Sequence, residues 1–322
     1  MRSGRPLGAA RRKSHAMAYV ATLVAAPGGP ALSEEMVASV AECLPQARAA
    51  WLDEGAAADI VFAAGELPEL GFDGERAMLR ALAEDARVTL DGAPVDVIVQ
   101  PVAHRRKKLF LADMDSTMIG QECIDELAAE VGLKDHVAEI TERAMRGELE
   151  FEPALRERVA LLKGLPENVV DRVIAERITL TPGARALVRT MRAHGVKTAL
   201  VSGGFTLFTQ RIADMIGFDE NRANHLVVEN GAFAGRVEEP ILGKQAKLDA
   251  LVDLTAKLGI DPRDTMAAGD GANDLAMLQR AGLGVAYHAK PAVAAAAHAR
   301  IEHGDLTALL YAQGYARADF VA

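Results

Sequence analysis

The sequence is poor in cysteine and in aromatic residues, and it lacks a long apolar run. Its two cysteines, Cys43 and Cys123, stand far apart and form no metal-ligand pattern. So few cysteines favour a reducing, cytoplasmic compartment. No apolar stretch approaches the roughly 20 residues that a membrane-spanning helix needs. These absences argue against a disulfide-rich domain, a cysteine-ligated metal site and a membrane protein.

Basic residues are also fewer than acidic residues. The chain has 36 Lys and Arg against 45 Asp and Glu, a net charge of -9. This balance argues against a nucleic-acid binder that relies on overall charge, although a local pocket can still take an anionic substrate. Half of the 322 residues are hydrophobic and 4% are aromatic. A core of small aliphatic side chains suits an α/β protein, and the length predicts two domains.

The first third of the chain predicts a small domain behind a tail. Residues 1–17 are basic and contain no apolar core for a signal peptide, so we expect a disordered tail. Met17 precedes a clean strand, which leaves both Met1 and Met17 as candidate starts. Residues 18–102 follow a β-α-β-β-α-β pattern, the ferredoxin-like unit. A regulatory and a structural, dimerising role are both open for it. The basic segment 104–108 is expected to be an exposed link.

A strand that ends in two aspartates organises the remainder, residues 107–320. Leu109–Ala112 is an apolar run that predicts a buried parallel strand, and Asp113 and Asp115 follow it. Open α/β sheets bind ligands at this end of their strands. Two carboxylates so close call for a divalent cation such as Mg²⁺. One can then serve as nucleophile and the other as general acid and base.

Two further strand ends supply complementary groups. Ser202–Thr206 follows the strand predicted at 196–201, and its hydroxyl and glycines suit a phosphate cradle. Gly269–Asp274 follows the strand predicted at 265–268, so that Asp270 can complete a metal site with Asp113. Asn273 and Asp274 would face back toward this site from the next helix. A helix over 244–258 carries Lys247, which an isolated pattern would leave as solvated surface.

Helical spacing of apolar residues fills the stretch between the first two of these strands. It predicts helices from Cys123 to about Ile178, and then a helix over 182–194 with Pro182 in its first turn. Asn230-Gly231 predicts a hairpin, and 305–313 a closing helix. The fold class is therefore a doubly wound parallel sheet with a helical cap at about 120–180, behind the ferredoxin-like domain. Such a cap would exclude water from the strand ends.

The three strand ends together resemble the ordered motifs of the haloacid dehalogenase superfamily. The run Asp113–Glu126, the segment 142–147 with Phe151 and Arg158, and the Ser-Gly-Gly-Phe strand end are similar to the phosphoserine phosphatase family within it. The likeness extends from about Lys108 to Leu310. The first hundred residues lie outside it, although bacterial members often carry an ACT-like regulatory domain there.

The resemblance implies a Mg²⁺-dependent phosphatase that hydrolyses O-phospho-L-serine at the end of serine biosynthesis. Asp113 would be the nucleophile that forms an aspartyl-phosphate, and Asp115 the general acid and base. The remaining implied roles are metal binding by Asp113, the carbonyl of Asp115, Asp270 and Asp274; phosphoryl binding by Ser202, Gly203 and Lys247; substrate orientation by Asn273; ammonium and carboxylate recognition by Glu122 and Arg158; and shielding by Met145 and Phe151. Implied partners are the small-molecule substrate, with room for a homodimer through the N-terminal domain and an amino-acid effector.

Other functions compete on the same residues. A sugar phosphatase, a mutase or a phosphoserine-to-homoserine transferase could use the same core chemistry. Asp115 argues against the ATPase branch of the superfamily, which typically has threonine there. From a different class, the chain could be an amino-acid-binding regulatory protein with a degenerate catalytic domain. The intact Asp113, Asp115 and Lys247 speak against that alternative. On pattern alone, Glu122 and Arg158 would be interpreted as a solvated helical face, and it is the resemblance that favours a functional role.

Overall fold

The computed structural model of the chain describes residues 18–63, 72–146 and 148–322, without the side chains of residues 72, 73 and 145. The predicted tail at 1–17 and the side chain of Met145 therefore lie outside the described residues. Within the described ranges, no helix combines the length and the hydropathy needed to cross a bilayer.

The N-terminal unit is a four-stranded antiparallel sheet with two helices. Its elements are β1 Ala18–Ala25, α1 Glu34–Glu42, β2 Arg48–Asp53, β3 Ala57–Ala63, α2 Phe72–Thr89 and β4 Val95–Pro101. The strand order β2-β3-β1-β4 confirms the ferredoxin-like prediction. The Ser33 hydroxyl caps α1 by accepting a hydrogen bond from the Met36 amide at 3.1 Å. One face of the sheet packs on its own two helices.

The second unit contains the remaining elements. Its strands are β5 Leu109–Ala112, β6 Lys197–Phe205, β7 Glu220–Asn224, β8 Leu226–Glu229, β9 Ala232–Val237, β10 Thr265–Gly269, β11 Leu283–Tyr287 and β12 Ala299–Ile301. Its helices are α3 Cys123–Ala129, α4 Lys134–Met145, α5 Phe151–Ala160, α6 Val169–Arg177, α7 Ala184–Ala193, α8 Thr206–Ile216, α9 Lys244–Leu258, α10 Leu275–Arg280, α11 Pro291–Ala296 and α12 Ala308–Ala312. Short 3₁₀ turns occupy Pro262–Asp264, Ala272–Asp274 and Arg317–Asp319.

Six of these strands form one parallel sheet, in the order β12-β11-β10-β5-β6-β7. Alternate residues of β5 point to opposite faces: Leu109 and Leu111 pack with α9, whereas Phe110 and Ala112 pack with α7 and α8. Helices thus cover both faces, which confirms the doubly wound prediction and explains why β5 is apolar at all four positions. The helices α3 to α6, here called the cap, are inserted between β5 and α7, as predicted.

Two local predictions were wrong, and three elements were not predicted. Pro182 is not in the first turn of its helix, because Gly183, at a φ of 82°, is the N-cap and α7 begins at Ala184. A side chain at position 183 would come within 2.7 Å of the Thr307 amide, so the close approach requires glycine. The closing helix is shorter than 305–313, since α12 spans only Ala308–Ala312. The strands β7 and β12 and the helix α11 were not predicted.

Strand β6 also runs further than expected. The segment Ser202–Phe205 remains extended as the end of β6, and α8 begins directly after it. The Asn224 side chain on β7 donates hydrogen bonds to the carbonyls of Gly203, at 2.8 Å, and Leu242, at 3.1 Å. The strand was predicted to end at Val201, but these tertiary contacts hold the backbone extended through Phe205.

The basic segment 104–108 is exposed only at Arg106 and Lys108. Lys107 is only 6% exposed, and its ammonium donates to the Arg263 carbonyl at 2.9 Å. Arg105 donates to Asp59 of the N-terminal unit at 2.6 Å and to the Ala312 carbonyl of the second unit at 2.8 Å. The prediction failed for Arg105 and Lys107 because the two units pack directly on one another, so these two side chains find acceptors there instead of water.

The interface between the two units is ordered and partly polar. Asp96 on β4 is 2% exposed and accepts hydrogen bonds from the amides of Glu302, at 2.8 Å, and Gly304, at 2.6 Å. Val24 and Ile98, on the second face of the N-terminal sheet, belong to the same apolar cluster as β5. The N-terminal unit is therefore fastened to the back of the second unit by buried contacts.

Candidate active site

The predicted strand ends meet at one edge of the parallel sheet. Strand β5 lies between β6 and β10, so Asp113, Ser202 and Asp270 come at or just beyond the carboxyl ends of three adjacent strands. The Asp113 amide donates to the Ala268 carbonyl at 3.0 Å, which fixes the start of the loop against β10. This is the edge at which doubly wound sheets bind ligands.

A buried lysine joins two of the carboxylates. The Lys247 ammonium lies 2.7 Å from Asp113 Oδ2 and 2.6 Å from Asp274 Oδ1. Its side chain is 2% exposed, which confirms that this residue is not solvated surface. Although burial lowers it, the carboxylates of Asp113 and Asp274 raise the pKa of Lys247 above its ordinary value. We call Asp113, Lys247, Asp270 and Asp274 the acidic floor.

Two glycines allow the floor to be this compact. A side chain at Gly269 would come within 2.4 Å of Asp274 Cγ, and one at Gly271 within 2.3 Å of Asn273 Oδ1. The second carboxylate oxygen of Asp274 accepts hydrogen bonds from the amides of Asp270, at 3.1 Å, and Gly271, at 3.0 Å. The loop after β10 is thus folded around Asp274, and glycine at these two positions leaves room for the side chains of Asp274 and Asn273.

The acidic floor fits a divalent cation. Oxygen atoms of Asp113, Asp270 and Asp274 lie within 4.8 Å of one another. Burial and the charge of Asp274 raise the pKa of Asp113 well above its usual range, and the same causes raise that of Asp270 to about 7. Three carboxylates with one ammonium leave two negative charges uncompensated. An all-oxygen donor set with this charge matches a hard divalent ion.

Asp115 lies beside the floor in a different environment. Its Oδ1 accepts a hydrogen bond from the Cys123 amide at 2.9 Å, and its Oδ2 accepts one from the Ser202 hydroxyl at 3.3 Å. Burial raises the pKa of Asp115. The Ser202 oxygen also accepts the Gly204 amide at 2.8 Å. The serine hydroxyl is therefore directed to Asp115, the second carboxylate of the motif.

Glu122 lies at the entrance to the cap, as the N-cap residue of α3. Its carboxylate accepts a hydrogen bond from the Ser116 hydroxyl at 2.6 Å, and Ser116 itself has a φ of 53°. Burial, together with the nearby charge of Asp115, raises the pKa of Glu122 well above its usual range. A cationic group bound next to Glu122 would relieve this cost.

The cap supplies a buried cation. Arg158 is 5% exposed; its Nε donates to the Ala154 carbonyl at 3.0 Å and its Nη1 to the Thr141 hydroxyl at 2.8 Å. Burial lowers the pKa of Arg158. Among the residues described by the structure, no carboxylate forms an ion pair with this guanidinium. A buried cation without a direct counter-ion is costly, so the arrangement favours an anionic ligand.

One cavity of about 940 Å³ brings the cap and the floor together. Its lining includes Asp113 and Asp270 from the floor, and Glu122 and Arg158 from the cap. Phe151 also lines it, and a side chain at Gly203 would come within 2.8 Å of the Phe151 ring. Phe151 therefore closes the wall over the extended Ser-Gly-Gly segment.

The predicted residues occupy two layers of this site. Nine of the predicted residues line the cavity: Asp113, Asp115, Glu122, Phe151, Arg158, Ser202, Gly203, Asp270 and Asn273. Lys247 and Asp274 instead form the layer beneath it, bound to each other and to Asp113. The Met145 side chain lies outside the described residues. The structure thus brings every described candidate to a single place.

Sequence reasoning missed four residues around the site, which are Thr117, Asp125, Thr141 and Lys290. Thr117 donates to Asp270 at 3.3 Å, and Thr141 bridges Arg158 to Asp125. The backbone amide of Lys290 donates to the Asp270 carbonyl at 3.2 Å, and its ammonium pairs with Glu142 of the cap at 2.9 Å. Thr117 stood within the Asp-x-Asp-Ser-Thr run and could have been found there. The others carry no local signal, because their partners are distant in sequence.

Comparison with known proteins gives the same family as the motifs. Residues 110–279 match the family model of the haloacid dehalogenase-like hydrolases. A phosphoserine phosphatase of Archaeoglobus fulgidus is 45% identical over 217 residues, covering 67% of this chain and 63% of that protein. A phosphoserine phosphatase of Albidiferax ferrireducens is 49% identical over 208 residues, covering 63% of this chain and 88% of that protein. The chain thus spans less than two thirds of the length of the first relative.

Solved structures extend the likeness to the fold. A phosphoserine phosphatase captured as a phospho-aspartyl intermediate analogue has a TM-score of 0.61 and 43% identity over 64% of this chain and 98% of that one. A HAD family hydrolase from Salmonella enterica serovar Typhi has a TM-score of 0.74 and 30% identity over 91% of this chain and 97% of that one. Because the family match covers more than half of the chain, the protein belongs to the haloacid dehalogenase-like hydrolases.

Proposed function

We propose that this enzyme is a Mg²⁺-dependent phosphoserine phosphatase, which hydrolyses O-phospho-L-serine to L-serine and phosphate as the last step of serine biosynthesis. The observation that carries the proposal is the buried Arg158 guanidinium in the same cavity as the acidic floor. With Glu122 on the same wall, the cavity offers one cationic and one anionic group beside the reacting carboxylates. This is the complement of an amino-acid phosphate, and the relatives named for that activity support it.

In the proposed reaction, the Asp113 carboxylate attacks phosphorus and the bond from phosphorus to the serine oxygen breaks. Asp115 donates its proton to that oxygen, and L-serine leaves. Asp115 then takes a proton from a water molecule, whose oxygen attacks phosphorus and releases Asp113 and phosphate. The pKa of Asp115, raised by burial, suits the first step, in which this side chain must hold a proton.

Asp113, Asp270 and Asp274 would hold the magnesium ion, together with the backbone carbonyl of Asp115. The ion would neutralise phosphoryl charge and the two uncompensated charges of the floor. Lys247 would neutralise charge from below, through Asp113 and Asp274, and assist Ser202 and Gly203 in binding phosphoryl oxygens. Asn273 would orient the substrate from the loop after β10.

In the cap, Arg158 would bind the substrate carboxylate through its planar guanidinium. Glu122 would bind the ammonium, whose charge would relieve the repulsion from Asp115. Phe151 would exclude water from the cavity, and Met145 would share this role. These roles predict that losses in the cap depend on the substrate, whereas losses in the floor do not.

We further propose that the chain divides into a unit of residues 18–102 and a catalytic unit of residues 107–320. The N-terminal unit would support a homodimer and bind an amino-acid effector. The exposed edge strand β2 and the ferredoxin-like order of the sheet support the dimer. Both cysteines are free, as a cytoplasmic, reducing compartment would require.

Phosphate release tests the proposal. L-phosphoserine, phosphothreonine and a panel of sugar phosphates are compared with Mg²⁺ and after chelation, with L-homoserine added in one arm to detect transfer. We expect Mg²⁺-dependent release that strongly favours L-phosphoserine. Release from sugar phosphates instead would overturn the substrate and leave the core chemistry in place. Release from none of them would support a regulatory protein with a degenerate site.

A further inference from the structure

A threonine that lines the cavity and a buried aspartate outside its lining adjoin the Arg158 guanidinium. Thr141 on α4 is 3% exposed, and its hydroxyl accepts the Nη1 hydrogen bond of Arg158 at 2.8 Å. The same hydroxyl lies 2.7 Å from Asp125 Oδ1 on α3 and 3.0 Å from the Val137 carbonyl. A hydroxyl has a single proton, and a carboxylate is the stronger acceptor. Thr141 thus donates to Asp125 while its lone pairs face Arg158.

This arrangement gives Arg158 a counter-ion that does not touch it. Asp125 is 8% exposed, and burial raises its pKa to about 6, against the opposing effects of the Thr141 hydrogen bond and the Arg158 charge, so it is ionised at neutral pH. A direct ion pair between Asp125 and Arg158 would occupy the hydrogen-bond donors that a substrate carboxylate needs. The intervening hydroxyl leaves those donors in place and still puts a negative charge nearby. Asp125 therefore stabilises the Arg158 cation without occupying its hydrogen-bond donors.

We propose that Asp125 and Thr141 are positioning residues that orient Arg158 and set the preference for substrates that carry a carboxylate. The inference rests on the proposed function, because it assigns that carboxylate to Arg158. Neither residue touches the reacting atoms, so their loss should weaken recognition and spare phosphoryl transfer. Because threonine and valine are similar in shape, Thr141→Val removes the hydroxyl with little change in packing.

The test compares two phosphate esters that differ in the carboxylate alone: L-phosphoserine and O-phosphoethanolamine. In Thr141→Val we expect KM for phosphoserine to rise about tenfold, the usual size for a lost hydrogen bond to a charged group. KM for phosphoethanolamine and kcat for both esters should change less than about twofold. Thr141→Ser should restore the phosphoserine value. Asp125→Asn should act in the same direction as Thr141→Val.

Two controls separate positioning from general damage. Thr209→Val removes another buried threonine hydroxyl, which donates to Asn221 at 2.8 Å away from the cap, and should leave the preference between the two esters unchanged. In an Arg158→Ala background, adding Thr141→Val should have no further effect on phosphoserine, because the two residues act as one unit. An additive loss in the double variant would overturn the inference.

The failure of the inference and the failure of the proposed function look different. If the wild-type enzyme does not prefer phosphoserine over phosphoethanolamine, the proposed function is wrong. If the wild type has the preference and Thr141→Val retains it, the function stands and the positioning role is wrong. An equal loss on both esters would assign Thr141 to cap stability alone.

Discussion

The floor and the cap of the active site treat charge in opposite ways. In the floor, the Lys247 ammonium is in direct contact with two carboxylates, at 2.7 and 2.6 Å. In the cap, Arg158 is equally buried, but its nearest counter-ion lies behind a threonine hydroxyl. The floor pairs its one ammonium with two carboxylates and keeps an excess of negative charge, which would suit a divalent ion. The cap leaves the Arg158 guanidinium without a direct ion pair. The floor therefore suits phosphoryl transfer, and the cap suits recognition of an anionic group on the substrate.

Removal of the nucleophile in the floor should have the largest effect, and it should abolish turnover of both kinds of substrate. In Asp113→Asn, we expect turnover of both L-phosphoserine and an aryl phosphate to fall by on the order of 10³-fold or more, because the amide cannot form the phospho-enzyme. Steady-state phosphate release measures this. Asp214→Asn, which changes an exposed carboxylate on α8, serves as the control and should keep full activity. Comparable turnover in Asp113→Asn would defeat the assignment of the nucleophile.

Metal binding should distinguish the two regions without any assay of turnover. Mg²⁺ at a hundred times its Kd should stabilise the wild-type protein by about 2.7 kcal/mol. Asp270→Asn should lose most of this gain, whereas Arg158→Ala should keep it, because Arg158 is not part of the floor. Thermal unfolding with Mg²⁺ and with a chelator measures the difference. A full Mg²⁺ effect in Asp270→Asn would place the ion elsewhere.

Loss of the Arg158 cation in the cap should affect only substrates that carry a carboxylate, in contrast to changes in the floor. In Arg158→Ala, we expect KM for phosphoserine to rise by roughly 10- to 100-fold, the cost of a lost charge-assisted pair of hydrogen bonds. An aryl phosphate, which has no carboxylate, should be hydrolysed nearly as before. Arg172→Ala, an exposed arginine on cap helix α6 that pairs with Glu130, is the matched control. Equal losses on both substrates would argue against carboxylate recognition.

A change in the interface of the two units should lower stability and leave the substrate preference of the site unchanged. Asp96→Ala deprives buried amides of Glu302 and Gly304 of their acceptor, which should lower the free energy of unfolding by about 2–3 kcal/mol. The ratio of phosphoserine to aryl phosphate turnover should not change, since Asp96 lies in β4, away from the cavity lining. Urea unfolding and the two assays check both parts. A shifted ratio would mean that the N-terminal unit shapes the cap.

The smallest expected effect concerns pH. Burial lowers the pKa of Lys107 to about 8 from an ordinary 10.5, so between these values the unfolded chain binds more protons than the folded one. Stability should therefore rise as pH increases from about 8 to about 10.5. Lys107→Met should flatten that rise, as measured by urea unfolding at pH 7.5 and 9.5. An unchanged pH profile would show that Lys107 is hydrated.

The three aspartates of the floor were accessible from the sequence because they lie in short runs at strand ends. Asp113 follows β5, and Asp270 and Asp274 follow β10, its neighbour in the parallel sheet, so these side chains meet at one edge. Lys247 lies on α9 and carries no such signal. The pairing of Thr141 with Asp125 and Arg158 could not be predicted in this way. It depends on how three cap helices pack, and helical spacing alone does not fix that packing.

The interface of the two units was mispredicted for a related reason. A run of five residues with four cations looks solvated when it is considered alone, but Lys107 and Arg105 find acceptors more than 150 and 200 residues further along the chain. Composition predicts exposure only when no partner surface competes for the same side chains. Tertiary contacts also extend β6 through Ser202–Phe205, although the sequence predicted that the strand ends at Val201.

The central claim is that the floor performs the chemistry and the cap selects the substrate. Its most direct test is kcat/KM for L-phosphoserine and O-phosphoethanolamine, measured in wild type, Asp113→Asn and Arg158→Ala under the same conditions with Mg²⁺. We predict that Asp113→Asn loses both activities and that Arg158→Ala loses only the preference for phosphoserine. If Arg158→Ala retained the wild-type preference, or lost both activities alike, the division of labour between floor and cap would be contradicted.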